Sequence, residues 1–234
     1  EILSGLVGSE MCIRDRMNTD EIEKYTELEN QANQLIETVA TENNCDPQDL
    51  KWWHIANYLE NNHKIVLVPL NKNAFSTIIA DNYGIYGLTL KDSRMAMICY
   101  SNECTETRQH FTIMHEIGHF LLHKNNQTYP SLMQENDYTE EDQIFEKEAN
   151  NMAGMLLANK KAIQSLLNER KPFNYLCKYF GISNQAMRIR LFNLFYFQTA
   201  KQVIEEEKQV NNIFIYSQQT IANYIYKNYQ LNIK

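Results

Sequence analysis

The sequence has 234 residues, 44% of them hydrophobic, which is enough for one large domain or a domain with a small appendage. Its net charge of −7 argues against a protein that binds nucleic acid through bulk electrostatics. The five cysteines include no C-x-x-C pair, so they predict neither a disulfide framework nor a thiolate zinc site, and a reducing cytoplasm fits best. No stretch approaches the roughly 18 consecutive apolar residues of a membrane span, and no membrane partner is expected.

The first 16 residues differ in character from the rest of the chain. Residues 6–16, LVGSEMCIRDR, look like translated sequencing-adapter read-through and are followed by Met17. We therefore expect residues 1–16 to be a non-native leader and the natural protein to start at Met17. The alternative is a disordered natural tail, and on both interpretations the segment stands apart from the fold.

Two helices and a small sheet are predicted before residue 101. Residues 18–43 form an amphipathic helix, and a second helical stretch starts at Asp46-Pro47 and continues to residue 59. A buried strand at 65–68 ends at Pro69. Strands at 76–80, 85–90 and 95–100 then alternate with polar turns, which is typical of an antiparallel meander. The last strand leads into the next helix, so the predicted class is α+β, a small antiparallel sheet packed on that helix.

That next helix, over residues 108–123, carries the motif His115-Glu116-Ile117-Gly118-His119. In a helix the two histidines stand about 40° apart on one face, one turn from each other, so both imidazoles can bind one metal ion. Zn²⁺ suits two imidazoles and a carboxylate with the fourth position left to water, and Glu116 would accept that water's proton as general base. The rest of the helix is apolar, as in a buried helix. A surface helix with two solvated histidines is therefore the weaker interpretation.

The third ligand is predicted on the helix that follows. Residues 124–142 are polar and aperiodic and predict a loop, and residues 143–159 return to helical spacing. Glu146 and Asn150 lie one turn apart there. Glu146 can reach the metal while Asn150 orients a ligand histidine.

Two further residues near this site have open roles. Glu148 is the rival of Glu146, but it is expected on the exposed side of the helix, where Glu148→Gln would leave metal retention unchanged. His123 lies one turn beyond His119. It is predicted to be a buried histidine hydrogen-bonded beside the ligands, and the alternative is that it lines the cleft.

Residues 176–194 predict a helix, a turn at Gly181-Ile182-Ser183 and a second helix, the arrangement of a helix-turn-helix. Arg188 and Arg190 on the second helix leave direct DNA binding open. Two arginines in an acidic chain supply little phosphate neutralisation, however, so a packing or interaction module is the favoured interpretation.

Two runs of sequence, FTIMHEIGHFLLH at 111–123 and EKEANNMAGMLL at 146–157, match the pattern F-T-x-x-H-E-x-G-H-x-x-x-H, then E-x-x-A-N/D-x-x-A-x-x-L-L. In both parts the chain resembles the ImmA/IrrE family of metallopeptidases, over roughly residues 52–197. The resemblance implies that His115, His119 and Glu146 bind Zn²⁺ and that Glu116 is the general base. One departure is Ala158-Asn159, where members usually have Met-Pro.

The resemblance also implies a function connected with mobile elements and stress responses. The favoured hypothesis is a cytoplasmic zinc endopeptidase that cleaves a helix-turn-helix repressor and so switches on the repressed genes. The substrate would add a strand to the sheet edge at residues 95–100. The alternative is a non-catalytic regulator with a structural or sensing metal. Glu116 favours catalysis, because a structural zinc site closes its fourth position with a protein ligand and needs no base.

These predictions divide the chain into four parts. After the leader, residues 17–165 are expected to form a zincin-like metallopeptidase domain, and residues 166–198 the helix-turn-helix-like segment. Residues 199–234 are a tail to which the sequence assigns no role.

Overall fold

Three strands and seven α-helices make up the part of the chain that the structure describes, which confirms the predicted α+β class. The computed structural model describes residues 19–71, 73–74, 86–91, 94–123 and 139–210, with the backbone alone at residue 19 and residues 199–210. The predicted leader, the strand at 76–80, and most of the predicted loop and tail lie outside these residues. The elements are α1 (Thr19–Glu42), α2 (Trp52–His63), β1 (Ile65–Leu70), β2 (Gly87–Lys91), β3 (Ala96–Ser101), α3 (Glu106–Leu122), α4 (Glu140–Leu157), α5 (Lys160–Asn168), α6 (Phe173–Phe180) and α7 (Asn184–Val210).

Contacts divide the chain into two compact units. One unit is Leu28–Met187, which contains the sheet and the helix with the two motif histidines. The other comprises residues 19–27 and 188–210 among those described. The boundaries expected after residues 16, 165 and 198 stay predictions.

Arg190 belongs to the core of the second unit. Its side chain is buried, and its Nη1 donates a hydrogen bond to the Tyr25 hydroxyl at 2.8 Å. The Tyr25 ring in turn stacks on Phe197, with ring centroids 4.2 Å apart. Arg190 is therefore not available as the phosphate contact that the sequence left open, because its guanidinium is held inside the unit.

The segment before the sheet departs from the predicted second helix. Asp46 caps only a short 3-10 helix (Pro47–Asp49), in which its side chain accepts a hydrogen bond from the Gln48 N–H at 2.9 Å. Leu50 then takes up an extended conformation with ψ 141°, so the helix is interrupted. α2 starts at Trp52 and buries Ile55, Ala56 and Leu59 on one face.

The sheet is mixed, with the strand order β1-β3-β2. β2 pairs antiparallel with β3, as the meander predicts. β1 pairs parallel with β3, so the prediction of a purely antiparallel sheet was wrong. Local patterning identifies strands, but the partner of a strand is chosen by long-range packing that the pattern does not contain. β1 also continues through Pro69 to Leu70, which an edge strand tolerates because one side of it needs no ladder donor.

β3 is the central strand, and this corrects the predicted substrate edge. Both of its sides are hydrogen-bonded, one to β1 and the other to β2. Residues 95–100 therefore cannot accept an added strand. The edges available among the described strands belong to β1 and β2.

α3 lies against one face of the sheet and against α4. Gly118 is buried where α3 and α4 meet, and a Cβ placed on it would lie 3.0 Å from the Ala149 carbonyl oxygen and 3.1 Å from Ala149 Cα. Only glycine lets the two backbones come this close without a shift. His115, His119 and His123 are thereby brought within side-chain reach of α4.

α4 starts three residues earlier than predicted because of a capping box. The Thr139 hydroxyl accepts from the Asp142 N–H at 3.1 Å, and the Asp142 carboxylate accepts from the Thr139 N–H at 2.9 Å. At the other end, Asn159 caps α5 by accepting from the Ala162 N–H at 2.8 Å, and it donates to the Pro47 carbonyl at 3.0 Å. Ala158-Asn159, which stands where Met-Pro is usual in the resembled pattern, thus provides an asparagine cap for α5.

The predicted helix, turn and helix over residues 176–194 are confirmed as local structure. α6 ends at Phe180 and is capped by Gly181, which has the left-handed φ of 63°, and the Ser183 hydroxyl accepts from the Ala186 N–H at the start of α7. The Gly181 carbonyl lies 3.4 Å from Nδ1 of His110, whose ring packs on Trp52. The turn is therefore anchored to the first half of α3.

None of the helices in the described ranges is both long and apolar enough to cross a membrane.

Candidate metal centre

Three side chains from two helices converge on one point within the unit Leu28–Met187. The Nε2 atoms of His115 and His119, one turn apart on α3, lie 3.1 Å from each other. Glu146 of α4 places Oε1 3.0 Å from His119 Nε2 and Oε2 3.2 Å from His115 Nε2. All the donor atoms lie within 4.8 Å of one another. The structure therefore brings together the three ligands that the sequence predicts.

This donor set fits a divalent metal ion. Ligand atoms that surround zinc tetrahedrally at about 2.0–2.2 Å stand about 3.3–3.6 Å apart, close to the separations found here. The His119 side chain is only 1% exposed, whereas His115 is 14% and Glu146 20% exposed, so one side of the cluster is open. Within the described ranges no fourth histidine, cysteine or carboxylate joins the group.

The charges at this point favour binding of a cation. Burial raises the pKa of Glu146, but the hydrogen bonds from His115 and His119 outweigh it and lower that pKa to about 2. Burial lowers the pKa of His119 and favours its neutral form. Burial acts the same way on His115, but its hydrogen bond to Glu146 and the nearby negative charges outweigh burial and raise its pKa. A metal ion must displace that proton, so metal affinity should fall as the pH falls.

Glu116 lies between the two histidines in sequence but makes its own contact with the sheet. Its carboxylate is buried, and Oε2 accepts a hydrogen bond from the Thr89 hydroxyl of β2 at 2.8 Å. Burial raises the pKa of Glu116 to about 7, although the His115 charge and the Thr89 hydrogen bond act in the opposite direction. A carboxyl group whose pKa lies near neutrality is suited to accept and return a proton.

Gly87 allows β2 to approach α3 closely enough for this contact. A Cβ on Gly87 would overlap Thr112 Cγ2 and would lie 3.1 Å from Glu116 Cγ. Any side chain here would push the strand away from the helix. Gly87 therefore controls the distance at which Thr89 meets Glu116.

The remaining predicted residues also lie beside the cluster. The Asn150 Oδ1 atom is 3.0 Å from His115 Nδ1, the contact expected of a residue that orients this histidine. His123 is buried, with Nδ1 3.0 Å from His119 Nδ1. The expected exposure of Glu148 was wrong: its side chain is only 13% exposed, and Oε2 lies 3.1 Å from His123 Nε2.

Sequence reasoning missed Thr89, Gly87 and the burial of Glu148. A glycine inside a predicted strand is a general signal of close backbone approach, and Gly87 carried that signal. No local pattern marks Thr89, because its partner lies on a distant helix. Glu148 was misjudged from the periodicity of its own helix alone.

Gly87→Ala is expected to lower the free energy of unfolding by about 1–3 kcal/mol, because the added methyl group overlaps Thr112 Cγ2. Chemical denaturation measures the change. Thr112→Ser removes Cγ2 and keeps the hydroxyl, so the double variant should recover part of the loss. A Gly87→Ala protein as stable as the wild type would show that β2 and α3 are not packed this closely.

The family model described as Peptidase_M78, IrrE N-terminal-like domain, matches residues 75–192, about half of the chain. Among solved structures, a Mycobacterium tuberculosis transcriptional regulator is similar over 73% of this chain, with 14% sequence identity and a TM-score of 0.45. The alignment covers 51% of the regulator, so this chain spans about half of its length. No curated protein matches the sequence significantly.

Proposed function

The chain belongs to the ImmA/IrrE family of metallopeptidases, which has the IrrE N-terminal-like domain, and on this premise we propose that it is a zinc-dependent endopeptidase. The observation that carries the proposal is the convergence of His115, His119 and Glu146 beside a buried carboxyl group, Glu116. Two neutral imidazoles and one carboxylate suit Zn²⁺ better than Mg²⁺ or Ca²⁺, which prefer oxygen ligands. Zn²⁺ held there would supply Lewis acidity, which lowers the pKa of a water molecule and polarises the scissile carbonyl.

Glu116 is the proposed general base. It accepts a proton from the attacking water and delivers it to the nitrogen of the departing amine, so that one carboxyl group serves both half-steps. The Thr89 hydroxyl holds Oε2, which leaves Oε1 to exchange the proton. Burial raises the pKa of Glu116 above that of an exposed carboxyl group, which supports its role in holding and returning a proton.

Substrate is proposed to bind at the side of β2 that faces away from β3, which is an edge of the sheet formed by the described strands. The other edge, on β1, is partly blocked, because the Leu67 N–H already donates to Glu60 Oε1 and Pro69 has no N–H. In the antiparallel ladder between β2 and β3, hydrogen-bonded residue pairs alternate with non-bonded pairs. The hydrogen bond from Ser101 N–H to the Tyr86 carbonyl shows that Tyr86 and Ser101 form a bonded pair. That alternation directs the backbone groups of Gly87, Thr89 and Lys91 away from β3. An extended peptide paired with β2 would lie along the strand whose Thr89 hydroxyl hydrogen-bonds the Glu116 carboxylate.

Lys91→Pro tests this edge, since it removes one outward N–H and leaves the bonds between β2 and β3 in place. We expect KM for a peptide substrate to rise several-fold while kcat changes little. Lys91→Ala is the matched control, because it removes the same side chain and keeps the N–H. Equal KM values for the two variants would exclude this edge as the binding strand.

The proposed substrate is a DNA-binding repressor of the helix-turn-helix type, cut once so that its genes are switched on. The family to which the chain belongs supports this class, and such a substrate places the reaction in the cytoplasm. Main-chain pairing alone would accept many proteins, so selectivity needs a second contact. The exposed part of the helix-turn-helix-like segment at residues 176–194 is the candidate for that contact. Direct DNA binding is disfavoured by the net charge of −7 and by the burial of Arg190.

The alternative is a non-catalytic regulator in which the metal has a structural or sensing role. It would need a closed metal site, and the described residues supply three ligands with an open side, which do not meet that need. It would also leave the buried Glu116 without a role. These two features favour catalysis.

Glu116→Gln and Glu146→Gln should separate proton transfer from metal binding. Glu116→Gln is expected to retain one zinc per chain and to lose about 10²- to 10⁴-fold in cleavage rate, the usual cost of losing a general base. Glu146→Gln is expected to lose the zinc itself. Metal analysis of the purified proteins and a cleavage assay measure the two effects, with the exposed Glu141→Gln on the same helix as control. Unchanged cleavage by Glu116→Gln would exclude it as the base.

The substrate class is tested by comparing a helix-turn-helix repressor with an unstructured generic protein, each incubated with the zinc-loaded enzyme. A single cut in the repressor and little degradation of the generic protein are expected, with Glu116→Gln as the inactive control. If the generic protein is degraded as fast as any repressor, the regulatory function fails, and a scavenging peptidase takes its place.

A further inference from the structure

Glu148 and His123 form a chain of contacts that ends on a metal ligand. Glu148 Oε2 lies 3.1 Å from Nε2 of His123, and Nδ1 of His123 lies 3.0 Å from Nδ1 of His119. The His123 side chain is 4% exposed and Glu148 13%, so water has little access to these contacts. The Phe145 ring packs on His123 with centroids 4.4 Å apart and limits its rotation.

The number of protons on each ring fixes the direction of these hydrogen bonds. Nε2 of His119 faces His115 and Glu146, and in the metal-bound state this nitrogen would carry no proton, because its lone pair would bind the metal. A neutral imidazole carries one proton, which then sits on Nδ1 of His119 and is donated to Nδ1 of His123. His123 must therefore carry its own proton on Nε2, which is the nitrogen that faces Glu148.

A carboxylate at Glu148 selects this arrangement, because it can accept a hydrogen bond and cannot donate one. Were the His123 proton on Nδ1, two N–H groups would face each other across 3.0 Å and Glu148 would face a lone pair. His119 would then favour a proton on Nε2, the nitrogen that the metal needs. The negative charge of Glu148 also increases the electron donation of the two linked rings toward the metal.

We propose that Glu148 is a positioning residue, which acts through His123 to hold His119 in its metal-binding tautomer. The inference rests on the proposed metal centre and adds to it, after Glu146, a second carboxylate from α4. The two histidine ligands are then held differently: His115 by the amide of Asn150, and His119 by a histidine and a carboxylate.

A double-mutant cycle on zinc affinity tests this chain of contacts. The dissociation constant of Zn²⁺ is measured by competition with a chromophoric chelator for the wild type, Glu148→Gln, His123→Phe and the double variant. Each single change is expected to weaken zinc binding about 10-fold or more. The double variant should bind no more weakly than His123→Phe alone, because the proposed effect of Glu148 on His119 passes through His123. Glu141→Gln removes an exposed charge from the same helix and should leave the constant within about twofold.

Nitrogen-15 NMR of the histidine rings gives a second readout that does not depend on any variant folding. The zinc-loaded wild type should show His123 protonated on Nε2 and His119 protonated on Nδ1. His123 protonated on Nδ1 would overturn the proposal. So would a Glu148→Gln protein that binds zinc like Glu141→Gln, or additive effects in the cycle. A wild type that binds no zinc would instead overturn the metal centre itself, and the two failures are therefore distinguishable.

Discussion

The close contact of α3 with α4 at Gly118 and Ala149 is the constraint on which the metal centre depends. A Cβ at Gly118 would lie 3.0 Å from the Ala149 carbonyl oxygen, so the two backbones touch without an intervening side chain. Polar residues around this contact reach across it in three places. Glu146 meets His119 at 3.0 Å, Asn150 meets His115 at 3.0 Å, and Glu148 meets His123 at 3.1 Å. A larger residue at Gly118 would lengthen all three distances together.

The same contact brings ionisable side chains into a partly buried interface, where a bound cation would stabilise the negative charge. Three histidines and three carboxyl groups lie in or beside a largely apolar interface, where unpaired polar groups are costly. Their hydrogen bonds satisfy most of them, and burial holds Glu116 near a pKa of 7 while neighbouring histidines hold Glu146 near 2. Carboxyl groups with such different pKa values in one site are suited to different tasks. In the proposed function, Glu146 is the anion that attracts the metal, and Glu116 is the group that exchanges a proton.

The sequence predicted most of what is local. The spacing of His115 and His119 implies one helical face, because four residues make just over one turn, and the structure places their Nε2 atoms 3.1 Å apart. Helices α1, α3, α4, α6 and α7, the two antiparallel strands and the turn at Gly181 were predicted for the same reason, since each depends on neighbouring residues. The start of α2 was predicted too early, and α5 was not predicted. Glu146 needed more than spacing. Its assignment combined the periodicity of a second helix with the resemblance to a known family.

What the sequence could not predict depends on contacts between distant segments. The parallel pairing of β1 with β3 has no local signature, and neither has the central position of β3. Thr89 gains its role only because β2 packs beside α3. Glu148 lies about 160° from Glu146 on a helical wheel, which predicted exposure. The wheel takes no account of His123, the residue that ends α3 and approaches Glu148 from that side.

His115, His119 and Glu146 are proposed to hold one metal ion and to leave a position open. Anomalous X-ray diffraction at the zinc absorption edge, from crystals of the protein purified without added chelator, tests this arrangement. A single strong peak is expected about 2.0–2.2 Å from Nε2 of both histidines and from a Glu146 oxygen, with no fourth protein ligand. A peak elsewhere in the molecule, or one closed by a fourth side chain, would contradict it.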